Sequence, residues 1–380
     1  MTLEEALALA RTQGSGLALA RGRIEEARAR QAQAARRFQE NPVLETNGGY
    51  RRAEGDFFDF EAAVTQGLYA GRLRAARLAG AQAGLDRVEA ELADAQRLLL
   101  REVWATFVRA LAARDRTGLL ARSRQAAEEL LAAAERRYEA GEATALEINR
   151  ARIATASARA EQSAAEAEGS SALAGLEVLL GLSPGESVEI RGELAPRPPL
   201  DLEAFLAGLD RRPDLQALAA ELREAESEIL LGQALSRPSL GVRGGVAREE
   251  GAEIVTAGVA VSLPVHNRGQ ETLAVGQARA AALRQALTAA RGAAEAEIRG
   301  AYSALARRMA AVRELEGMAL PALEDNESLA LKSFDAGEID LGELLLVRRE
   351  ILETRLAYLD RLLDASLTRF ELEAAAGALP

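Results

Sequence analysis

One short phrase occurs twice in this chain, and its two copies lie 196 residues apart in a sequence of 380. The first copy, YEAGEATALEI, covers residues 138–148, and the second, FDAGEIDLGEL, covers residues 334–344. In each copy a glutamate follows the glycine by six positions. The same offset aligns Pro42 with Pro238, Gly49 with Gly245 and Leu19 with Leu215. A repeat at about half the chain length predicts a tandem duplication, so one structural unit must be built twice.

Each half contains a very long segment with helical periodicity. The segment from Arg72 to Glu139 lacks proline, and apolar residues recur in it at heptad spacing: Leu78, Ala81, Leu85, Val88, Leu92, Ala95 and Leu99. This seam, with small residues at one of its positions, predicts a helix of about 100 Å that packs closely against its neighbours. The matching segment runs from about Gln270 to Ser333. The helices alone would also fit a solvent-exposed coiled-coil rod.

A β-hairpin is predicted before each long helix, at about residues 42–70 and 238–266, because apolar and polar residues alternate there. On one strand Phe58, Phe60, Ala62 and Val64 alternate with Asp59, Glu61, Ala63 and Thr65; on another Val255, Ala257, Val259, Val261 and Leu263 alternate with Thr256, Gly258, Ala260 and Ser262. The apolar positions of these two strands align at an offset of 197, one more than the offset of 196 found elsewhere. This difference predicts one extra residue in the second hairpin's turn, near Arg248–Gly251. The first hairpin also offers interfacial aromatics at Tyr50, Phe57, Phe58, Phe60 and Tyr69, and the second offers none.

Strands of about ten residues with one apolar face suit a transmembrane β-barrel. Four strands cannot close a barrel, and open sheet edges are not tolerated in lipid, so at least two chains would have to share one barrel. The alternative is a pair of ordinary amphipathic hairpins packed on soluble protein.

The two halves are joined by a segment whose prolines break the helical pattern. These are Pro184, Pro196, Pro198, Pro199 and Pro213. Because Val188, Ile190 and Leu194 keep β-type spacing, we expect a small mixed segment rather than a free linker. The predicted organisation is therefore a first repeat at 1–182, an intervening segment at 183–211 and a second repeat at 212–380.

Composition excludes several classes of function. The chain has no cysteine and a single histidine, His266, so neither a thiol nucleophile nor a soft-metal site is expected. We expect no enzyme activity, no cofactor and no metal site. The net charge of −11 argues against nucleic-acid binding. The N-terminus shows no signal peptide, and the lack of cysteine argues against a lipid anchor.

The whole pattern resembles the TolC-type outer-membrane efflux proteins, and the branch for heavy-metal efflux of the cobalt–zinc–cadmium type in particular. The phrases that carry the resemblance are RRPDLQALAAELREAESEI, RPSLGV, SLPVHNRGQ and the duplicated YEAG…EI and FDAG…EL. The resemblance implies a mostly α fold with a small β part: a homotrimer whose twelve strands, four per chain, form an outer-membrane β-barrel that a long α-helical barrel continues into the periplasm. The segment at 183–211 then lies at the equator of the α-barrel.

The resemblance also implies a function and a set of residues. The chain would be the passive exit channel of a tripartite efflux pump for metal cations or small toxic compounds, with a periplasmic adaptor protein, an inner-membrane transporter (proton-driven in the heavy-metal branch) and outer-membrane lipid as partners. The alternatives are the channel of a type I protein secretion system and a structural coiled-coil protein without a pore.

The repeated phrase then falls at the periplasmic tip, where each helix pair turns. Glu147 and Glu343 are candidate gate residues; Gly141, Glu142, Gly337 and Glu338 are candidates for the turn and for adaptor docking; Asp59 and Glu61 are candidates for the barrel lumen. The alternative for both gate residues is an exposed glutamate in the first turn of a helix, where the dipole favours negative charge. Two departures from the family pattern are Leu346, where some members carry a second acidic residue, and Ile339, where some carry an arginine.

Overall fold

The computed structural model describes residues 1–14, 16–38, 40–52, 56–68, 71–183, 185–195, 198 and 201–377. Within them the chain is mostly helical and carries one four-stranded antiparallel sheet. The α-helices are α1 (Leu3–Gln13), α2 (Leu17–Ala35), α3 (Gly71–Glu139), α4 (Ala145–Leu180), α5 (Leu202–Leu206), α6 (Pro213–Leu235), α7 (Gln270–Glu314), α8 (Leu320–Asp335) and α9 (Leu341–Ala375). The strands are β1 (Val43–Arg52), β2 (Asp56–Leu68), β3 (Ser239–Glu249) and β4 (Ala252–Ser262).

The element order repeats. Helix α2, the β1–β2 hairpin, α3 and α4 are followed by α6, the β3–β4 hairpin, α7 with α8, and α9. Helix α3 runs unbroken for 69 residues, as its lack of proline predicts. Its counterpart is interrupted by a π-helical turn, Leu315–Ala319, where the amide of Leu320 donates to the carbonyl of Leu315. Pro321, two residues after this turn, has no N–H to continue an ordinary helical ladder.

The sheet has the strand order β1-β2-β3-β4, and every neighbouring pair is antiparallel. The register puts Asp59 opposite Gly49, Ala63 opposite Gly245, and Gly245 opposite Thr256. Residues that face each other across antiparallel strands share a face. The predicted apolar positions, which alternate from Phe58 to Val64 on β2 and from Val255 to Val261 on β4, therefore share one face of the sheet. The predicted polar or small positions, from Asp59 to Thr65 and from Thr256 to Ser262, share the other face. The predicted alternation is confirmed.

The second hairpin does contain one more residue than the first. Three residues separate the facing pair Arg52 and Asp56, and four separate the corresponding pair Arg248 and Glu253. The tight turn at Glu250 and Gly251 has φ values of 51° and 80°. Positive φ at both central positions gives the turn a twist that matches the strands.

Two compact units are present, and each draws on both repeats. One unit contains residues 18–94 and 213–292, with the sheet. Here α3 meets α2 through Leu85, Val88 and Ala27. A second face of α3 meets α6, where a Cβ added at Gly80 would lie 2.6 Å from Ser227 Oγ. The predicted heptad seam is thus shared between two neighbours, which explains why Leu85 is buried while Leu78 and Leu92 are only half-buried.

The other unit contains residues 1–17, 95–212 and 293–380. Trp104 on α3 stacks on Phe370 of α9, with ring centroids 4.2 Å apart. In the segment 183–211, Val188 and Ile190 are buried as their spacing predicts, but no strand forms among its described residues. Hydrogen bonds to Met1 hold Glu189 and Arg191 in place. Pro184, Pro196 and Pro199 lie outside the described residues, as do Tyr69 and the side chain of Phe57.

Among the described residues, no helix has an apolar stretch of the length needed to cross a bilayer.

Candidate functional site

The glycine of each repeated phrase ends a helix. At the end of α3, the amide of Gly141 donates to the carbonyl of Tyr138, and the amide of Glu142 donates to the carbonyl of Arg137. Gly337 and Glu338 make the same two bonds after α8, and the two glycines have φ values of 78° and 75°. This bond pair is a Schellman motif, in which the residue after the helix adopts a left-handed conformation that glycine tolerates best.

The glutamate of each phrase starts the next helix. Thr144 caps α4 by accepting from the amide of Glu147, while the Glu147 carboxylate accepts from the amide of Thr144 at 2.7 Å. Asp340 and Glu343 form the same reciprocal pair at the start of α9, with bonds of 2.8 and 3.2 Å. Both glutamates therefore occupy capping boxes. The six-residue spacing is the distance from a helix-ending glycine, across a three-residue link, to the third residue of a capped helix.

The two candidate gate residues face different surroundings. Glu147 is half-buried and lines a small cavity with Arg137 and Phe334. Glu343 is exposed and lines an open groove between α4 and α9, together with Arg150 and Asp340. A Cβ added at Gly342 would lie 2.5 Å from Arg150 Nη1. Arg150 thus lies beside the start of α9.

An apolar cluster joins the two helix turns. Leu130 and Ala134 of α3, Ala151 of α4, Ala330 of α8, and Leu341 and Leu344 of α9 form it, and Phe334 and Ile339 pack against it. Ile339 is therefore used here for packing. Arg137 adds a cation–π contact to Phe334, with its guanidinium carbon 5.8 Å from the ring centroid.

Above the cluster, Arg348 crosses from α9 to α3. Its Nη1 donates to the carbonyl of Ala126 at 3.0 Å. Burial lowers the pKa of Arg348 below its ordinary value, and nearby Glu327 and Glu129 partly oppose this shift. Arginine is effectively always protonated in proteins, so the guanidinium keeps its charge at neutral pH. Arg348 therefore ties the two helix pairs together near the tip.

The docking candidates are open to solvent. Gly141, Glu142, Gly337 and Glu338 are all exposed, and a Cβ added at either glycine would meet nothing within 4 Å. The Glu338 carboxylate accepts from Ser333 Oγ at 3.0 Å. All four residues are therefore accessible from solvent.

The lumen candidates lie on a sheet face that is held together by ion pairs. Arg51 reaches Asp59, Glu249 and Glu250 at 2.9, 2.6 and 2.9 Å. Arg243 reaches Glu61 at 3.2 Å and, across the small side chain of the buried Ala63, Glu45 at 3.0 Å. Among the described residues of the strands, this face carries Glu45, Asp59, Glu61 and Glu249 against Arg51 and Arg243. The face is polar, its strands are joined by ion pairs, and its net charge is negative.

The opposite face is apolar and uncovered within one copy of the chain. Its exposed residues include Leu44, Tyr50, Phe58, Phe60, Val64, Leu68, Leu240, Val242, Val246, Val255, Val259 and Val261. From Phe58 to Leu68 the band spans about 33 Å along the strand at about 3.3 Å per residue, or about 25 Å across a membrane for a strand tilted by about 40°. An apolar surface of this extent needs a partner or a lipid environment.

Sequence reasoning missed several residues at these sites. The capping residues Thr144 and Asp340 could have been found, because each precedes a glutamate by three positions. Arg51 and Arg243 were also missed. Both occupy alternate strand positions that lie on the same face as Asp59 and Glu61, and this pattern could have revealed them. Within the described residues there is no group of three or more His, Asp or Glu side chains that could hold a metal ion.

Comparison with known proteins gives a consistent assignment. The chain is 27% identical over 292 residues to the cobalt-zinc-cadmium resistance protein CzcC of Cupriavidus metallidurans. The aligned region covers 76% of this chain and 70% of that protein. Its fold matches the Campylobacter jejuni CmeC outer membrane channel with a TM-score of 0.81 at 15% identity, covering 99% of this chain and 85% of that one. It matches the outer-membrane channel OprN with a TM-score of 0.80 at 19% identity, covering 99% and 90%.

The family model for outer membrane efflux proteins matches residues 6–182 and 207–378, and so covers both repeats. The chain carries the corresponding features twice: a β-hairpin followed by a pair of long helices. The chain belongs to the outer membrane efflux protein family.

Proposed function

We propose that three copies of the chain form one passive exit channel of a tripartite efflux pump in the outer membrane. The observation that carries the proposal is the sheet, because its apolar face is exposed, its polar face is ion-paired, and β1 and β4 are its open edges. Three copies would supply twelve strands and leave no edge in lipid. The helices then extend into the periplasm, and the polar face with Asp59 and Glu61 lines the lumen.

The proposed cargo is metal cations. Sequence similarity to a cobalt-zinc-cadmium resistance protein over most of both chains supports this choice over protein secretion. The net negative polar face supports it independently, because an acidic bore attracts cations. The proposed partners are a periplasmic adaptor that docks at Gly141, Glu142, Gly337 and Glu338, and a proton-driven inner-membrane transporter.

The cargo is tested in the native host by deleting the gene and measuring growth in cobalt, zinc and cadmium. We expect tolerance to at least one of these metals to fall and to return with the intact gene. Unchanged tolerance to all three metals, together with loss of an exported protein, would instead assign the channel to type I secretion.

We further propose that Glu343 forms the gate ring, with Glu147 in a secondary role. The exposure of Glu343 in the groove beside Arg150 favours it over the half-buried Glu147. Three carboxylates around a symmetry axis would attract cations.

The gate role can be separated from the capping role. Glu343→Gln keeps an oxygen that accepts from the amide of Asp340 but removes the charge, whereas Glu343→Ala removes both. In planar bilayers we expect both variants to lose cation selectivity relative to the unmodified channel. If Glu343→Gln behaves like the unmodified chain and only Glu343→Ala differs, Glu343 is a helix cap and not a gate.

A further inference from the structure

A group of exposed arginines lies where the sheet meets the helices. All four strand–helix connections occur at one end of the sheet, since Leu68 faces Leu240 and Ser239 faces Ser262. The basic collar is defined here as the exposed arginines at these connections: Arg36, Arg37, Arg72, Arg237 and Arg268. The acidic residues at this level are Glu40 and Glu271. The collar is therefore net positive in a chain whose net charge is −11.

Unlike several other arginines of the same unit, the collar arginines have no ionic partners among the described residues. Within the part of the chain that the structure describes, none of its five guanidinium groups has a carboxylate within ion-pair distance. Elsewhere in the same unit Arg87 pairs with Glu91 and Glu224, and Arg279 pairs with Glu221 and Glu228. At the turn end of the sheet Arg51 holds three carboxylates. The collar thus gives this end of the sheet a net positive charge.

Exposed apolar side chains adjoin the collar. Phe38 follows Arg37 in the chain and is 58% exposed. Leu263 and Val265, 66% and 59% exposed, lie between the end of β4 and Arg268. An apolar band that ends in an aromatic residue and then in basic side chains is the arrangement of proteins at a membrane–water interface.

We propose that the basic collar binds the phosphate headgroups of anionic phospholipids in the leaflet next to the helices. The proposal rests on the proposed function, because it requires the sheet to span a bilayer. Arginine suits this ligand, since its planar guanidinium donates two parallel hydrogen bonds to phosphate oxygens. Three copies would place fifteen such groups around one barrel, at the level where phospholipid phosphates lie. The attraction falls with rising salt.

The test measures which lipids stay with the protein. The full chain is reconstituted in vesicles of equal phosphatidylglycerol and phosphatidylcholine, extracted in mild detergent, and its bound lipids are quantified by mass spectrometry. We expect phosphatidylglycerol to be enriched by about tenfold at low salt. The variant with all five collar arginines changed to Gln is expected to hold the two lipids about equally, and the variant with all five changed to Lys is expected to keep most of the enrichment.

A matched control changes five exposed arginines of the helices to Gln: Arg28, Arg152, Arg159, Arg299 and Arg349. It removes the same charge and is expected to keep the enrichment. The inference is overturned if the collar variant retains phosphatidylglycerol, or if the control loses it equally. If the unmodified chain does not insert into bilayers, the channel proposal fails; if it inserts and conducts without any lipid preference, only the collar inference fails.

Discussion

At the scale of single residues, Gly337 and Gly141 carry the turn of each helix pair through one backbone conformation. A left-handed φ costs a residue with a Cβ about 1–2 kcal/mol. Gly337→Ala should therefore loosen the tip without changing the rest of the chain, because an added Cβ meets no neighbouring atom. We expect hydrogen exchange at the amide of Glu338 to accelerate by about tenfold.

Gly292→Ala provides the control for this change. Gly292 lies within helix α7, its φ is not positive, and its Cβ would also enter open space. Alanine is the better helix former there, so exchange in α7 should slow or stay the same. Equal exchange at Glu338 in both variants would show that the turn does not depend on the left-handed conformation.

A second residue-scale prediction concerns Arg51. Its removal leaves Asp59, Glu249 and Glu250 without their shared cation. In the proposed trimer Arg51→Ala makes the lumen more negative by three charges, so the preference for cations over anions should rise. The reversal potential in a potassium chloride gradient measures this ratio, and Arg51→Lys, which keeps the charge, should restore it. A shift toward anions with Arg51→Ala would place the polar face away from the conduction path.

These residues show what the sequence can reveal and where it stops. The phrase alone identifies Gly141, Gly337, Glu147 and Glu343, because a local motif fixes their spacing. The ion pairs of Arg51 with three carboxylates of the same chain could not be predicted, since they require the register of β1 against β2 and the turn at Glu250. The difference in exposure between Glu147 and Glu343 depends on tertiary packing around Phe334.

At the scale of elements, the two faces of β4 give a direct test. Val259 lies on the exposed apolar face near the middle of the band, and Thr256 lies on the polar face of the same strand. Arginine on a lipid face near the bilayer centre costs about 2–4 kcal/mol, whereas a lumen position tolerates it. We expect Val259→Arg to reduce the amount of folded protein in outer-membrane fractions strongly, and Thr256→Arg to leave it nearly unchanged. Similar yields for the two variants would argue against a lipid-facing sheet.

The sequence predicted the types of the elements better than it predicted the breaks within and between helices. Alternation identified both hairpins and the extra residue of the second turn, because period-two patterning is read directly from neighbouring residues. The break of the second long helix at Leu315–Ala319 was not predicted, although Pro321 signals it. The separation of α1 from α2 was also not predicted, although Gly14 and Gly16 lie between them.

At the scale of the whole molecule, the open edges of the sheet are the contacts through which copies of the chain would assemble. The sheet ends in β1 on one side and β4 on the other, and the proposed ring joins β1 of each copy to β4 of the next. The chain has no cysteine, so introduced pairs report only on this contact. Asn47 on β1 and Thr256, Gly258 and Ala260 on β4 share the polar face of the sheet, which would face inward in that ring.

The central claim is tested most directly by disulfide cross-linking of these edges in the membrane. Asn47→Cys is combined in turn with Thr256→Cys, Gly258→Cys or Ala260→Cys, since facing residues of antiparallel strands lie within disulfide reach. For at least one pair, we predict covalent species on a denaturing gel that stop at three copies. Chains that stay monomeric with every pair, or ladders that continue beyond three copies, would contradict a closed trimeric barrel.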